Sequence, residues 1–158
     1  MQGVGAFSMF LPAKIDNQVR YPRLVVLVFA LVTAVSLWRS QHHIFAPDGG
    51  AQTIAGIPLD AYSDAAAANI ITLFALWGTS QLLIALLFLA VLIRYRSLIP
   101  VMFVVTAFEY AGRLLIGSYK PLQGLVDPPP GALINLPVVI LSLAMITLCV
   151  LAKSRQTK

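Results

Sequence analysis

The chain has 158 residues, 59% of them hydrophobic and 11% charged, with a mean hydropathy of +0.86. A soluble globular domain carries about 25% charged residues, so this composition excludes an ordinary soluble domain and points to a bilayer. The formal charge of +5 would suggest nucleic acid as a partner of a soluble protein, but the basic residues gather at the ends of apolar runs, where they orient a membrane protein.

Residues 1–21 read as a cytoplasmic N-terminal segment. They lack the basic start, apolar core and small-residue cleavage site of a secretory signal. Val4, Phe7, Phe10 and Leu11 fall at helical spacing ahead of Pro12, a pattern that suits a short segment lying on a membrane surface.

Four apolar runs follow, over about 22–40, 65–93, 98–119 and 131–152. Each is near the ~20 residues that cross ~30 Å of hydrocarbon as a helix. None alternates polar and apolar residues as the strands of a membrane barrel do. The expected fold is all-α: a polytopic membrane four-helix bundle.

Pro22 stands at the start of the first run and Arg39 closes it. The next stretch, Gln41 to Ser63, is too long for a bare connection and is expected to fold over the mouth of the bundle. It contains the adjacent pair His42 and His43. Neighbouring helical side chains point about 100° apart, which suits two solvated interfacial histidines better than one metal ion. No metal site is expected, and no motif calls for a cofactor.

Ser63 and Asp64 are candidate caps for the second run, which Arg94 and Arg96 close. The brief Arg94–Ser97 turn predicts that the second and third helices are antiparallel neighbours. Ser97 is the expected cap of the third helix, with Pro100 in its first turn. The second long loop, Lys120 to Pro130, ends in the stiff sequence Asp127-Pro128-Pro129-Pro130. In the fourth run, either Asn135 caps a helix that has Pro137 in its first turn, or a longer helix passes through Pro137. Cys149, the single cysteine, excludes an intramolecular disulfide and thiolate redox motifs. Residues 153–158 form a basic tail.

With the N-terminus inside, the inner side carries Lys14, Arg20, Arg23, Arg94, Arg96, Lys153, Arg155 and Lys158. The outer half receives Arg39, Arg113 and Lys120. The bias predicts both termini inside and a multi-pass protein of a bacterial cytoplasmic (inner) membrane.

Chemistry concentrates in the third run, where Glu109 and Arg113 lie inside an apolar stretch. A charge at mid-bilayer costs roughly 2.5–3.5 kcal/mol on insertion scales, so it needs a compensating partner. The two are i and i+4 with the acid first, the better order for a helical ion pair. Glu109 lies nine residues past Pro100, about 13 Å into the helix, and the hairpin reflects Gln81 onto that depth. Thr33, Thr79, Ser80 and Ser142 reach similar levels. Tyr110, Trp77, Asn69 and Trp38 are expected to line the space above.

Two readings of this cluster stay open. One is a structural pair joining the second and third helices, helped by the small residues Ala75, Gly78 and Gly112. The other is a ligand site built from Glu109, Arg113, Gln81, Tyr110, Trp77 and Asn69, open to the outer side or to lipid. No residue is assigned to catalysis.

The stretch FEYAGRLLIGSY, with Glu109-x-x-Gly112 and Gly117, resembles the DoxX-like group of small four-helix bacterial inner-membrane proteins. FAPDGGAQTIAGIPL, after the first run, resembles the outer loop of related families of unknown function. The resemblance covers the layout of about 22–152 and implies an inner-membrane bundle, in some members linked to quinone or thiol redox complexes. Alongside the bilayer, the partners it admits are a small polar or lipophilic ligand, a second copy of the chain or a larger membrane complex. Binding or accessory work is the leading expectation. A membrane enzyme using Glu109 as acid/base on a lipophilic substrate, and a small proton-coupled transporter, are the alternatives.

Overall fold

The computed structural model describes Phe10 and residues 12–125 and 128–156. Among these residues there are four long helices and no strand. The surface-lying stretch expected before Pro12 falls outside the described residues apart from Phe10, as do Asp127 and Lys158. The helices are α1 (Arg23–Phe45), α2 (Asp64–Arg94), α3 (Ile99–Tyr119) and α4 (Pro130–Gln156). All four are long and apolar enough to cross a membrane.

Local chemistry sets their ends. Helix α1 follows Pro22 but does not stop at Ser40; it runs on to Phe45. No breaker occurs before Pro47, which biases the preceding Ala46 to the extended backbone it adopts (φ −67°, ψ 141°). Arg39 is therefore internal to the helix. Ser63 caps α2 by accepting a hydrogen bond from the Ala66 amide at 3.4 Å. Pro100 lies in the first turn of α3, yet Ser97 is not its cap. Helix α4 continues through Pro137, so Asn135 is a helical residue and not a cap.

Helix contact is closest between α1 and α2 and between α3 and α4. The short hairpin joins α2 to α3 without making them the close-packed pair. Within the first pair, Gly78 meets α1 so closely that a Cβ there would stand 2.7 Å from the His43 Cβ and 3.1 Å from the Ser40 carbonyl oxygen. Large rings fill the bundle both within the first pair and across to the second. Phe29 of α1 sits 5.3 Å from Phe88 of α2 and 5.6 Å from Phe103 of α3, centroid to centroid. Val25, Val91, Ile99, Met102, Met145 and Cys149 complete this core toward the hairpin end of the bundle. Gly112 has open space around it and makes no close helix approach.

Two irregular segments close the ends. At the hairpin end, residues 16–21 are latched to the turn between α2 and α3. The Asp16 amide donates to Ser97 Oγ at 3.0 Å, and the Ser97 amide donates to the Asp16 carbonyl at 3.1 Å. The Tyr21 hydroxyl donates to the Arg96 carbonyl. Ser97 is thus buried in this latch, which explains why it does not cap α3.

At the loop end, the Asp48 carboxylate accepts from the amides of Gly50, Gln52 and Thr53. Partial burial opposes its ionisation, but these donors and the Thr53 hydroxyl outweigh that, holding the carboxyl down to about 2. The turn so fixed uses positive φ at Gly49 and Gly50 and tucks in Ala51, Ile57 and Leu59. These pack near Ala67, Ile70, Ile71 and Phe74 of α2, together with Leu125 of the second long loop. The long loop folds onto the end of α2.

Candidate functional site

Glu109 and Arg113 form the expected i,i+4 ion pair within α3. They are not alone. Arg39 of α1 reaches the same place: its NH2 stands 3.9 Å from Glu109 Oε1, its Nε donates to Gln81 Oε1 at 2.9 Å, and its NH1 donates to the Tyr110 hydroxyl at 2.9 Å. One guanidinium therefore ties α1 to both α2 and α3. The equal depth of Gln81 and Glu109 is bridged through Arg39, a residue that the expected short first run places at the membrane edge.

The rings around this centre stack in a column. The Arg113 guanidinium carbon lies 5.0 Å from the Trp77 ring centre and 4.8 Å from that of Tyr110, while the Arg39 carbon lies 5.7 Å from Tyr110. Tyr110 is thus shared by both cations. Desolvated contacts of this kind contribute about 2 kcal/mol, enough to help hold a guanidinium in place without a second carboxylate. On its other side Trp77 meets His43, with ring centroids 4.9 Å apart.

His43 corrects the expectation of solvated histidines. It is 4% exposed, and its Nδ1 is 2.7 Å from the Gly49 carbonyl. Helix α1 continues past Ser40, and the absence of a side chain at Gly78 lets this part of α1 approach α2. His42 is half-buried, 5.9 Å from Trp38, and its Nε2 has no partner.

Five of the six expected site residues thus come together: Glu109, Arg113, Gln81, Tyr110 and Trp77. Asn69 does not. It is exposed on α2, twelve residues before Gln81, or about 18 Å along the helix axis. Trp38 is 65% exposed and lines nothing. The hydroxyls of Thr33, Thr79, Ser80 and Ser142 return to carbonyls of their own helices, so they supply no groups to the cluster.

Hydrogen-bond accounting leaves a specific imbalance. Gln81 is 5% exposed, and its Nε2 has no partner. The amide orientation follows from chemistry, since the oxygen must face the Arg39 N–H, which leaves the NH₂ group as the orphan. The Tyr110 oxygen accepts from Arg39, and the hydroxyl proton has no acceptor among the described residues. Glu109 is not sealed, with 24% of its side chain accessible. Two guanidiniums face one carboxylate.

Helix α4 adds Asn135, buried with its Oδ1 unpartnered. It stands fourteen residues from Cys149, as Arg113 stands fourteen from Ile99, and both reference residues belong to one core. In antiparallel helices this sets Asn135 and Arg113 at a similar height, each about 21 Å along its helix from its reference residue. No group of three or more His, Cys, Asp or Glu converges among the described residues.

No protein-family model, curated protein or solved structure matches the chain.

Proposed function

We propose that the chain is an integral membrane binding or accessory protein of a bacterial inner membrane, with both termini in the cytoplasm. Its polar site around Glu109 takes the polar end of a small or amphipathic ligand from the outer side. The observation that carries this reading is the Gln81 amide, buried and unpartnered beside a carboxylate that is itself left partly open. A buried donor without an acceptor costs about 1–3 kcal/mol, and a structural ion pair alone gives no reason to keep one. A bound group would supply the missing partner.

Transport has less support. Toward the hairpin end the bundle is filled by the apolar side chains of Phe29, Phe88, Phe103, Val25 and Val91, each under 2% exposed. Membership in the DoxX-like group is part of this proposal, resting on Glu109-x-x-Gly112 and the four-helix layout.

The test is native mass spectrometry of the protein extracted gently from its expression membrane, with the wild type compared with Gln81→Leu. A defined non-detergent adduct on the wild type, reduced in the variant, supports a ligand site. A wild type that carries no adduct, and that gains no thermal protection from membrane lipid extract, overturns it.

A further inference from the structure

The donor and charge balance of the cluster says what sort of group belongs there. Arg39 and Arg113 bring two guanidiniums within reach of one carboxylate, so one positive charge is uncompensated in the described structure. Both are largely buried, at 14% and 17% side-chain exposure, so solvent neutralises little of that charge. The polar atoms still seeking partners around it are donors: the Gln81 NH₂, the Tyr110 hydroxyl proton and the guanidinium N–H groups not used on Glu109, Gln81 or Tyr110. The acceptors of the cluster are already engaged with arginine, apart from the open part of Glu109. A cationic or neutral donor ligand would leave the Gln81 amide unsatisfied and add to the excess charge. A group that accepts several hydrogen bonds and carries negative charge corrects both deficits.

We propose that the ligand of this site is an oxyanion, a phosphate or carboxylate group held by Arg39, Arg113 and the Gln81 amide, with Tyr110 donating its hydroxyl proton. The proposal rests on the ligand-site reading above and names its chemical class. Guanidinium forks suit such groups because they offer paired N–H donors at the spacing of two anionic oxygens. Glu109 serves here as a positioning residue, holding Arg113 in place against the Trp77 and Tyr110 rings. The oxyanion has two sources, the head of an anionic amphiphile entering from the lipid or a free anion from the aqueous side.

The experiment measures thermal protection of the full chain, purified in a neutral detergent, by four probes. Dodecyl phosphate supplies anion and tail, dodecylphosphocholine a zwitterion, dodecyltrimethylammonium a cation, and inorganic phosphate the anion alone. Gln81→Glu is run in parallel. This change keeps the acceptor for the Arg39 Nε, removes the orphan NH₂ group and cancels the excess charge, so the protein is expected to fold at least as well as the wild type. Dodecyl phosphate should protect the wild type, with affinity about tenfold or more above the cationic probe and a similar loss in Gln81→Glu. Protection by dodecyl phosphate but not by inorganic phosphate assigns the anion to a lipid head; protection by both assigns it to a free anion. Equal protection by the cationic probe, lost in Gln81→Glu, would overturn the oxyanion class while leaving a ligand site in place. Anion protection unchanged in Gln81→Glu overturns the proposal, because the anion then binds elsewhere. Protection by no probe overturns it together with the reading on which it rests.

Discussion

Replacing Glu109 with Gln tests whether the three-helix cluster is held by charge. The substitution keeps the shape and removes the carboxylate that, among the described residues, faces Arg39 and Arg113. At 4 Å and an effective dielectric near 20, one such ion pair is worth about 4 kcal/mol, an upper bound. Breaking a buried pair costs about 3–5 kcal/mol, and the 24% accessibility of Glu109 moves the expectation down to about 2–3 kcal/mol. For a chain of this size that is a fall in melting temperature of about 4–12 °C. The assay is melting in a neutral detergent, with gel filtration to confirm a monodisperse sample. Adding Arg113→Met to Glu109→Gln should recover about half of the loss, because Arg39 remains unpaired while Gln81 and Tyr110 still hold it. Complete recovery would mean that Arg39 is not coupled to the carboxylate. A single Glu109→Gln variant melting within about 1 °C of the wild type would refute the electrostatic account altogether.

Gly78→Ala should weaken the α1–α2 contact, since the new Cβ would meet the His43 Cβ at 2.7 Å. Overpacking of about 1–3 kcal/mol outweighs the helix-propensity gain of about 1 kcal/mol, and a melt reads the difference. For Asp48, the folded-state carboxyl is held at about 2 against an ordinary 3.8, so its stabilisation is present above pH 4 and is lost as pH falls toward 2. The protection of residues 46–63 against hydrogen exchange, taken relative to the intrinsic rate at each pH, should fall over that interval in the wild type and change little in Asp48→Asn. Orientation is testable by cysteine labelling at Ala61 and Tyr95, both exposed. Impermeant reagent added from outside should reach Ala61→Cys and miss Tyr95→Cys; the reverse result would invert the proposed topology.

The four helices were legible because their signals are local: long apolar runs, and a serine cap before α2. Glu109 and Arg113 were legible too, since a charge inside an apolar run is costly wherever it occurs. Arg39 was harder. Near the end of a run it resembles an ordinary interfacial arginine, and only the continuation of α1 to Phe45 brings it inside. The missing breaker between Ser40 and Ala46 was the available signal. His43 depended on a partner's missing side chain, because its burial follows from Gly78 thirty-five residues later. The Ser97 latch depends on Asp16, eighty-one residues away, and no periodicity in either segment announces it.

That latch constrains the order in which the protein can be completed. During synthesis from the N-terminus, Asp16 emerges long before the hairpin amide and hydroxyl that it requires. The segment around it must therefore wait, unanchored, while α1, the long loop and α2 are made. On the proposed topology, its docking requires that α1 and α2 together return the chain to the side from which it started. On that topology, protease protection of residues 16–21 in arrested nascent chains is expected only after Ser97 has left the translocation machinery.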